Sequence, residues 1–360
     1  MKARRVIFVL GNLELGGAER QALILAKHLL QHEHAEVEVW GFNRSGPVAA
    51  ICEQHRIPAR VVPLEQPFDL RRLTRRLRDA QPDILLPYTL LPNVVCGLVW
   101  QRAGARLCVW NQRDEGLFSL APKWQQRAAQ LTPQFIANSV SGACYLIDKL
   151  DVDPAKIRVI PNGIELQPLQ SDRHSWRDRL EIDDATFVAC MVANVHANKD
   201  HATLLKAWRL VVDALKQRAV LVLAGRHYGA YESLADLTNE LGIASNVRFA
   251  GFVGDVAGLL GAVDLGVFSS RSEGCPNGVL ECMAAGLAVV GTDIEGIREV
   301  TGDSAFLAPP GNAERFAQLI LELAAAPALR ATIGAANQGR IKARYNAQRM
   351  CEDTVALLTT

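Results

Sequence analysis

Short apolar runs alternate with helix-like patterns along the first half of the chain. Residues 6–10 form a continuous apolar run, which is typical of a strand buried in a parallel sheet. Small and apolar side chains then recur at helical spacing at Ala18, Ala22, Leu25, Ala26 and Leu29. Similar patterns predict strands over residues 37–40, 60–64, 83–86, 106–110, 134–137 and 157–160, and helices over residues 69–80, 93–103, 121–130 and 141–150. This alternation predicts a parallel sheet covered by helices.

The same alternation restarts in the second half of the chain. Turn-forming and polar residues from about 161 to 184 predict a linker. Strands are then predicted over residues 187–192, 220–224, 247–249, 265–268 and 288–291, helices over residues 201–215, 231–241, 254–262, 277–285 and 312–325, and a helical tail over residues 346–358. We therefore expect two doubly wound α/β domains in series, each binding ligands at the carboxyl ends of its strands.

The composition agrees with two globular domains. The chain has 360 residues, of which 49% are apolar and 21% are charged, and this excludes a disordered chain, a coiled coil and a fibrous repeat. Its net charge of +1 does not favour a nucleic-acid binder. The charge is uneven, however, because residues 1–160 hold 21 Lys and Arg against 15 Asp and Glu, while residues 161–360 hold 18 against 23. The basic first half is expected to meet something anionic.

The cysteines and the apolar segments indicate a cytoplasmic protein. None of the eight cysteines forms a Cys-x-x-Cys pair or a His/Cys cluster with zinc spacing. The apolar part of the N-terminal residues is too short for a signal peptide, and the longest apolar stretch, residues 84–100, is interrupted by Pro87 and Pro92. We expect reduced thiols and no segment that crosses a membrane.

The first glycine-rich loop follows the first predicted strand. Gly16 and Gly17 leave out side chains where the next helix exposes its first N–H groups, so an anion can approach closely. The loop lacks the Gly-x-Gly-x-x-Gly pattern of dinucleotide-binding proteins. The two interpretations left are a phosphate contact and a plain tight turn.

A second candidate loop follows the apolar strand at residues 265–268. Asn277 is a favourable N-cap residue, so Gly278 is expected to begin a helix. The N–H groups of Gly278, Val279 and Leu280 would then have no partner inside the helix and would point at a ligand.

Two carboxylates flank this helix start. Glu273 lies in the loop before the helix, and Glu281 lies about one turn into it, with its side chain leaning back toward the N-terminus. Carboxylates accept hydrogen bonds from sugar hydroxyls, whereas the helix N-terminus favours phosphate. The pattern therefore favours a sugar nucleotide, and the alternative is a solvated loop with an ordinary first-turn Glu.

At this point the sequence resembles the retaining glycosyltransferases of the GT-B fold, most closely glycosyltransferase family 4, also called the group 1 glycosyltransferases. Glu273 and Glu281 have the Glu-x7-Glu spacing of that family. Other motifs resemble the family in order and spacing, namely Gly16–Arg20, Asn138-Ser139, Ile160–Ile164, Lys199–His201, Val247–Gly251 and Glu273–Gly286.

The resemblance implies two Rossmann-like domains that face each other across a cleft. Residues 1–163 would form the acceptor-side domain, residues 164–345 the domain that binds the nucleotide sugar, and residues 346–360 a helix that crosses back to the first. The implied activity is that of a retaining hexosyltransferase, which moves a sugar from a UDP- or GDP-sugar to a sugar or lipid-linked acceptor in surface polysaccharide or glycolipid synthesis. No metal or other cofactor is expected, since no Asp-x-Asp motif stands at a plausible strand end.

The resemblance also assigns roles to individual residues. Lys199 would neutralise the pyrophosphate, Glu273 would bind the transferred sugar, and these two are the candidate catalytic residues. Glu281 would bind the ribose hydroxyls. The remaining donor-binding candidates are Gly16, Gly17, Asn194, Phe252, Val253, Asn277, Gly278 and Val279, of which Phe252 and Val253 would lie near the nucleobase.

The sequence departs from the family pattern at two positions. Where many members have Gly-Arg, this chain has Ala193-Asn194, which leaves more of the charge to Lys199. Where many members have a His after the strand at residues 106–110, this chain has Asn111 and Arg113, which become acceptor or cleft candidates. The alternative for Arg113 is a surface ion pair with an adjacent acidic residue.

The predicted helix at residues 69–80 is strongly basic. Leu70, Leu73 and Leu77 share one face, and the rest of the helix carries Arg71, Arg72, Arg75, Arg76 and Arg78. The simpler interpretation is a solvated face on a helix that covers the sheet. The alternative is contact with anionic lipid headgroups, which would place the protein peripherally at the inner face of the membrane.

Two other functions share parts of this pattern. A GT-B sugar-nucleotide epimerase would have the same fold and donor pocket, with a catalytic carboxylate or His in the first domain instead of an acceptor groove. A two-domain solute-binding protein would also pair two α/β units, but it requires export, and no signal peptide is expected.

Overall fold

Parallel strands and the helices between them account for most of the structure, a computed structural model that describes residues 4–64, 69–116, 120–165, 170–226, 231–302 and 306–359. The strands are β1 (Arg5–Leu10), β2 (Glu36–Phe42), β3 (Ala59–Val62), β4 (Ile84–Pro87), β5 (Leu107–Gln112), β6 (Gln134–Ala137), β7 (Ile157–Val159), β8 (Phe187–Val192), β9 (Ala219–Ala224), β10 (Val247–Gly251), β11 (Leu265–Phe268), β12 (Val289–Thr292) and β13 (Leu307–Ala308). The α-helices are α1 (Gly17–His32), α2 (Pro47–Gln54), α3 (Leu70–Ala80), α4 (Leu90–Ala103), α5 (Pro122–Leu131), α6 (Val140–Leu150), α7 (Arg173–Arg179), α8 (His201–Ala214), α9 (Tyr231–Glu240), α10 (Val256–Gly261), α11 (Asn277–Ala284), α12 (Glu295–Thr301), α13 (Ala313–Ala324), α14 (Pro327–Arg344) and α15 (Ala347–Thr359).

The first compact unit comprises residues 1–163 and 347–360. Its sheet has the strand order β3-β2-β1-β4-β5-β6-β7, and all the pairs are parallel. Val6, Phe8 and Leu10 of β1 pack into one core, whereas Ile7 and Val9 pack into another on the opposite face. Burial on both faces explains why β1 is a continuous apolar run.

The C-terminal helix α15 belongs to this first unit. It packs against α1, and its side chains Met350, Cys351, Leu357 and Leu358 are buried in the same core as β1. The chain therefore completes the core of the first unit with its last helix, after it has formed the second unit.

The second compact unit comprises residues 164–346. Its parallel sheet has the order β10-β9-β8-β11-β12-β13, so β8 lies between β9 and β11. The strand order reverses beside β8, just as it reverses beside β1 in the first unit. Each unit is thus a doubly wound α/β domain, and the crevice at the reversal is the usual ligand site of such a sheet.

The predicted fold class is confirmed, and the ends of the predicted strands agree with the structure to within two residues. The elements that the sequence analysis missed are α2, α7, α12, α14 and the two-residue strand β13. Except for α14, these elements are eight residues long or shorter, so their apolar periodicity is too brief to be read as a helix or strand. In α14 only Gly334, Asn337 and Ile341 are buried, which leaves little apolar pattern to detect.

The predicted linker is wrong over its second part, since residues 173–179 form α7 in the second unit. Residues 166–169 of that prediction lie outside the described residues. Arg177 of α7 is 1% exposed. Its guanidinium donates to the carbonyl oxygens of Ala262, Asp183, Asp184 and Thr186 and to Asp264 Oδ2, at 2.8–3.2 Å. Burial lowers the pKa of Arg177, and the Asp264 carboxylate opposes that effect. Arg177 therefore helps to hold this polar segment in the second unit, together with Trp176, which is buried in the core.

In the part of the chain that the structure describes, no single helix is long and apolar enough to cross a bilayer. The pair α13 and α14, bent by 100° at their junction, meets the length and composition criteria only when both helices are taken together.

We expect Arg177→Met to lower the free energy of unfolding by about 2–4 kcal/mol, because four carbonyl oxygens and a carboxylate lose a buried donor. Urea unfolding followed by circular dichroism measures this change. The control is Arg173→Met, which removes a 43% exposed partner of the same Asp264 and should cost less than about 1 kcal/mol. Equal losses in the two variants would contradict the anchoring role of Arg177.

Candidate active site

The loops that follow β8 and β11 lie on either side of the strand-order reversal in the second unit. Backbone and side-chain hydrogen bonds join them, because Arg271 N donates to Asn198 O at 2.7 Å and Asn198 Nδ2 donates to Ser272 O at 3.2 Å. The buried Ser269 hydroxyl adds a bond to Asp200 O at 3.0 Å. The two loops therefore form one rigid platform at the carboxyl edge of the sheet.

An ion pair between Asp200 and Arg271 also joins the two loops of the platform. The buried Asp200 carboxylate accepts hydrogen bonds from Arg271 Nη2 at 3.3 Å and from Thr203 Oγ1 at 2.9 Å. Burial alone would raise the pKa of Asp200, but the hydrogen bonds from Arg271 and Thr203 outweigh it and hold the pKa below its ordinary value. The Asp200 carboxylate thus remains ionised, and its bonds fix Asp200 itself, which is the residue next to Lys199.

Lys199 and Glu273 meet on this platform. Lys199 ends a 3₁₀ turn after β8, and its Nζ forms an ion pair with Glu273 Oε1. The Ser270 hydroxyl donates to the same Oε1 atom at 2.6 Å. The side chains of Lys199 and Glu273 are 21% and 9% exposed, so the pair is largely shielded from water. The structure therefore brings together the two residues that the sequence analysis put forward as catalytic candidates.

The helix start beside this pair differs by one residue from the prediction. Pro276 is the N-cap residue and Asn277 is the first residue of α11, so the predicted N-cap at Asn277 is wrong. Leu280 N donates to Pro276 O at 3.2 Å, which corrects the expectation that this N–H has no partner. Gly278 and Val279 are the second and third residues of the helix, where by helical geometry the backbone N–H has no partner within the helix.

Packing alone requires a glycine at position 278. A Cβ atom at this position would clash with the carbonyl oxygen of Val192 at the end of β8. The start of α11 therefore lies directly on the strand that leads to Lys199. Glu281, one turn further along α11, is half-buried. It lies close to Cys190 of β8, whose pKa is raised by burial and, to a smaller degree, by the charge of Glu281.

The remaining donor-binding candidates of the second unit lie toward β9 and β10. Asn194 Oδ1 accepts from Arg226 N at 2.9 Å, so this side chain holds the loop after β9. Phe252 is 54% exposed, and Val253 lines a depression of about 470 Å³ together with Phe252 and Trp176.

The sequence analysis missed one cation at this edge. Arg226 lies two residues after the end of β9, and its guanidinium carbon lies 5.0 Å from the centre of the Phe252 ring. The signal for Arg226 in the sequence is its position immediately after Gly225. In the structure Gly225 has a φ of +157°, and the backbone there lies against Ala193. Arg226 therefore stands beside the position at which many family members have the arginine that this chain replaces with Asn194.

In the first unit, Gly16 and Gly17 lie at the start of α1, with Gly16 as the N-cap residue. The side chain of Glu19 folds back over Gly16, where it would contact any Cβ atom. Burial raises the pKa of Glu19, and the backbone N–H groups of Glu19 and Gly16 oppose that rise. A carboxylate therefore already occupies part of the helix start that the sequence analysis assigned to a phosphate.

Arg113 and Asn111 lie at the carboxyl end of β5, also in the first unit. The partners of Arg113 are Asn111 Oδ1 at 3.0 Å and Asn162 Oδ1 at 3.2 Å, with its guanidinium carbon 4.6 Å from the centre of the Tyr88 ring. The neighbouring Asp114 carboxylate instead accepts from Gln112 and from Gly116 N. Arg113 therefore forms no ion pair with an adjacent acidic residue within the described ranges, and that alternative is wrong.

Metal-binding clusters are absent from the part of the chain whose structure is described. No group of three or more His, Cys, Asp or Glu side chains there could hold a metal ion.

The fold and the position of this site define the class of protein. Solved GT-B structures superpose on the whole chain; Anabaena HepE in complex with UDP-glucose gives a TM-score of 0.86, with 22% identity over 99% of both chains. At that level of identity the likeness establishes the fold, so the two-domain Rossmann-like GT-B prediction is confirmed.

Family models match each half of the chain in turn. Residues 15–168 match the model described as Glycosyltransferase Family 4, and residues 186–326 match the model described as Glycosyl transferases group 1. The chain belongs to the group 1 glycosyltransferases, and the resemblance inferred from its motifs is confirmed.

Curated relatives match over part of their length. The putative glycosyltransferase EpsD of Bacillus subtilis is 31% identical over 216 residues, which cover 59% of this chain and 53% of EpsD. The UDP-Gal:alpha-D-GlcNAc-diphosphoundecaprenol alpha-1,3-galactosyltransferase of Escherichia coli is 26% identical over 182 residues, covering 49% of this chain and 47% of that enzyme. The matches thus span about half the length of these relatives.

We expect Gly296→Ala to disturb the platform without removing any polar group. Gly296 lies in α12, where a Cβ atom would clash with the carbonyl oxygens of Glu273 and Gly274. The loop must shift, at a cost of about 1–3 kcal/mol in unfolding free energy and with faster amide hydrogen exchange in residues 270–276.

The control is Gly339→Ala in α14, where a Cβ atom meets open space. This change should stabilise the helix by about 0.5–1 kcal/mol and leave exchange in residues 270–276 unchanged. Unchanged exchange in the Gly296 variant would show that α12 does not hold the loop.

Proposed function

We propose that this protein transfers a sugar from a UDP- or GDP-sugar to an acceptor hydroxyl, with retention of anomeric configuration and without a metal. The observation that carries the proposal is the Lys199–Glu273 pair at the strand-order reversal of the second unit, beside the start of α11. Family membership and the GT-B fold support the same activity.

The Glu273 carboxylate is suited to bind the transferred sugar. Both hydrogen bonds that the described residues give it, from Lys199 and Ser270, fall on Oε1. Oε2 then remains to accept from sugar hydroxyls, while the anchored Oε1 fixes the orientation of the carboxylate. In this proposal Glu281 accepts from the ribose hydroxyls, and Phe252 and Val253 lie near the nucleobase.

Lys199 and the N-terminus of α11 are suited to the diphosphate. Breaking the bond to the anomeric carbon places negative charge on a phosphate oxygen. An ammonium group held in place by Glu273 and the N–H groups of Gly278 and Val279 would stabilise that charge. Asn194 positions this edge through its bond to the loop after β9, and Gly16 and Gly17 are proposed as a further phosphate contact.

The transfer step needs no general base from the protein. The acceptor oxygen forms a bond to the anomeric carbon as the bond from that carbon to the phosphate oxygen breaks. The acceptor proton passes to the departing phosphate on the same face of the sugar, so the configuration is retained. Asn111 and Arg113 remain the acceptor-side candidates.

A lipid-linked or sugar acceptor in surface polysaccharide or glycolipid synthesis is the proposed setting. The E. coli relative is named for a diphosphoundecaprenol-linked substrate. We propose a cytoplasmic enzyme that works at the inner face of the membrane.

We expect Lys199→Ala to lower turnover by about 10²–10³-fold, because one preorganised donor to the developing charge is lost. The measurement is nucleotide release from UDP- and GDP-sugars in a panel of donors. Lys206→Ala, which removes an exposed lysine of α8, is the control and should keep wild-type turnover. Near-normal turnover in the Lys199 variant would remove Lys199 from the mechanism.

The same assay tests the other parts of the proposal. NMR of the sugar product before mutarotation should show the donor configuration, and a chelator should leave the rate unchanged. Glu281→Ala should weaken UDP or GDP binding, since the ribose loses its acceptor. An inverted product or a rate that only added Mg²⁺ or Mn²⁺ restores would contradict the mechanism, and an isomerised donor would point to an epimerase.

The basic helix α3 supports the membrane part of the proposal. Leu73 and Leu77 are its buried residues, and its N-terminus is capped by the Asp69 side chain. Arg71, Arg72, Arg75 and Arg78 are exposed and Arg76 is half-buried. A helix that presents guanidinium groups and covers the sheet with leucines is suited to anionic lipid headgroups.

We expect the wild-type protein to float with liposomes that contain anionic lipid and not with neutral ones. Changing Arg71, Arg72, Arg75 and Arg76 to Glu should abolish flotation, because each Lys or Arg near the surface contributes about 1 kcal/mol. The control variant changes four exposed cations of the second unit to Glu, namely Lys206, Lys216, Arg218 and Arg315. Equal flotation of all three proteins, or flotation independent of lipid charge, would leave α3 as a solvated helix.

A further inference from the structure

A polar cluster occupies the carboxyl ends of four neighbouring strands in the first unit. Tyr88 follows β4, Arg113 follows β5, Asn138 follows β6 and Asn162 follows β7. β4, β5, β6 and β7 are consecutive in the sheet, so these side chains share one edge. Carboxyl edges of doubly wound sheets are where ligands bind, and the cluster is therefore placed for a ligand.

Arg113 is fixed in this cluster by groups that carry no charge. Asn111 Oδ1 and Asn162 Oδ1 each accept one bond from its guanidinium, and the Tyr88 ring lies against it. Asn111 is itself held by both protons of its amide nitrogen, which donate to the carbonyl oxygens of Pro87 and Val109 at 3.0 Å. Asn111 is thus a positioning residue that orients Arg113.

Three polar atoms of the cluster are buried without a hydrogen bond to any described residue. They are Arg113 Nε, the Tyr88 hydroxyl oxygen and Asn138 Oδ1. Tyr88 is 1% exposed and Asn138 is 2% exposed. Buried polar groups that are left unsatisfied destabilise the folded protein. Three of them at one sheet edge indicate that a polar ligand completes the cluster.

The charge of Arg113 indicates which kind of ligand this is. Among the described residues Arg113 has no carboxylate partner, in contrast to Lys199 with Glu273 and Arg271 with Asp200. Burial raises the pKa of Tyr88, although the nearby Arg113 opposes that rise, so the hydroxyl stays protonated at neutral pH and can donate. A guanidinium with three N–H groups left over is suited to the two oxygens of a carboxylate or a phosphate.

We propose that this cluster binds an anionic group, a carboxylate or a phosphate ester, on the sugar acceptor. Arg113 binds the anionic oxygens, and Asn138 Oδ1 accepts from a neighbouring hydroxyl of the same acceptor. The inference rests on the proposed function, because only a sugar transfer requires an acceptor. It adds that this acceptor is an acidic saccharide.

The experiment measures how the full chain binds three probes of one sugar: methyl glucoside, methyl glucuronide and methyl glucoside 6-phosphate. Ligand-observed NMR titrations are made with and without UDP. We expect at least one charged probe to bind about 10- to 100-fold more tightly than the neutral one, and Arg113→Gln to remove that preference. The preferred probe identifies the anionic group as a carboxylate or a phosphate.

The matched control is Arg106→Gln, which removes the same charge at the opposite end of β5, where Arg106 is 87% exposed. This variant should keep the preference. Arg113→Lys keeps the charge and should bind the charged probe at an intermediate level. Tyr88→Phe keeps the ring and should melt no lower than wild type but bind the probe less tightly, a combination that a purely structural role does not produce.

Three results would overturn the inference. They are equal binding of the three probes, a preference that survives Arg113→Gln, and a loss of UDP affinity in Arg113→Gln as large as the loss for the charged probe, which would assign the guanidinium to the donor. Failure of the wild type to bind any nucleotide would overturn the proposed function instead, because the titrations without UDP still report on the cluster.

Discussion

A carboxylate that loses most of its water must gain hydrogen-bond donors, and the second domain is arranged around that requirement at Glu273. Its side chain is 9% exposed and receives bonds from Lys199 after β8 and from Ser270 after β11. The Ser270 carbonyl in turn accepts from the Thr292 hydroxyl at the end of β12. The ends of three adjacent strands are therefore tied to one carboxylate. Any change in their register would leave a buried charge without its donors.

Missing side chains permit this convergence. The start of α11 lies on the Val192 carbonyl only because residue 278 is glycine, and the loop after β9 lies on Ala193 only because residue 225 is glycine. Gly225 also has a positive φ that a larger residue rarely adopts. The close approach places the start of α11 and the loop after β9 against the carboxyl end of β8. Packing alone therefore requires glycine at positions 225 and 278.

The sequence predicts the strands and helices whose apolar pattern repeats along the chain. It misses the short elements that are held by a few long-range contacts. Long apolar strands such as β8 and β9 are visible because all six residues of β9 and the four central residues of β8 are buried. The short helix α7 was taken for a linker because its attachment depends on a few long-range contacts, namely the burial of Trp176 in the core and the five bonds of Arg177 to acceptors at residues 183–264. Lys199 and Glu273 were assigned to one site only through the family resemblance, and their ion pair across 74 residues was not predicted.

Local competition explains the other differences between sequence and structure. Asn277 has the usual N-cap side chain, but the fixed backbone of Pro276 begins the helix one residue earlier. Glu19 folds back on Gly16, a contact that the glycine pattern does not indicate. The alternative of an adjacent acidic partner for Arg113 is wrong, because two asparagines from β5 and the end of β7 hold it. In each case a neighbouring side chain or ring decides the local structure.

The cations at the two candidate sites have different kinds of partner, and the difference bears on how each could bind a ligand. Lys199 and Arg271 each have a carboxylate partner. In the proposed mechanism a diphosphate would therefore meet a cation that is already neutralised, and it would gain little from Lys199 while its own charge is spread over several oxygens. It would gain more when charge concentrates on the oxygen that departs, because the ammonium group is already in place. Interactions that strengthen only as charge develops raise the rate more than the affinity. A cation held by amides, as Arg113 is, would have no carboxylate partner to give up and would contribute to affinity directly. A paired cation is thus suited to the reacting phosphate, and an amide-held cation to recognition of a substrate that does not change its charge.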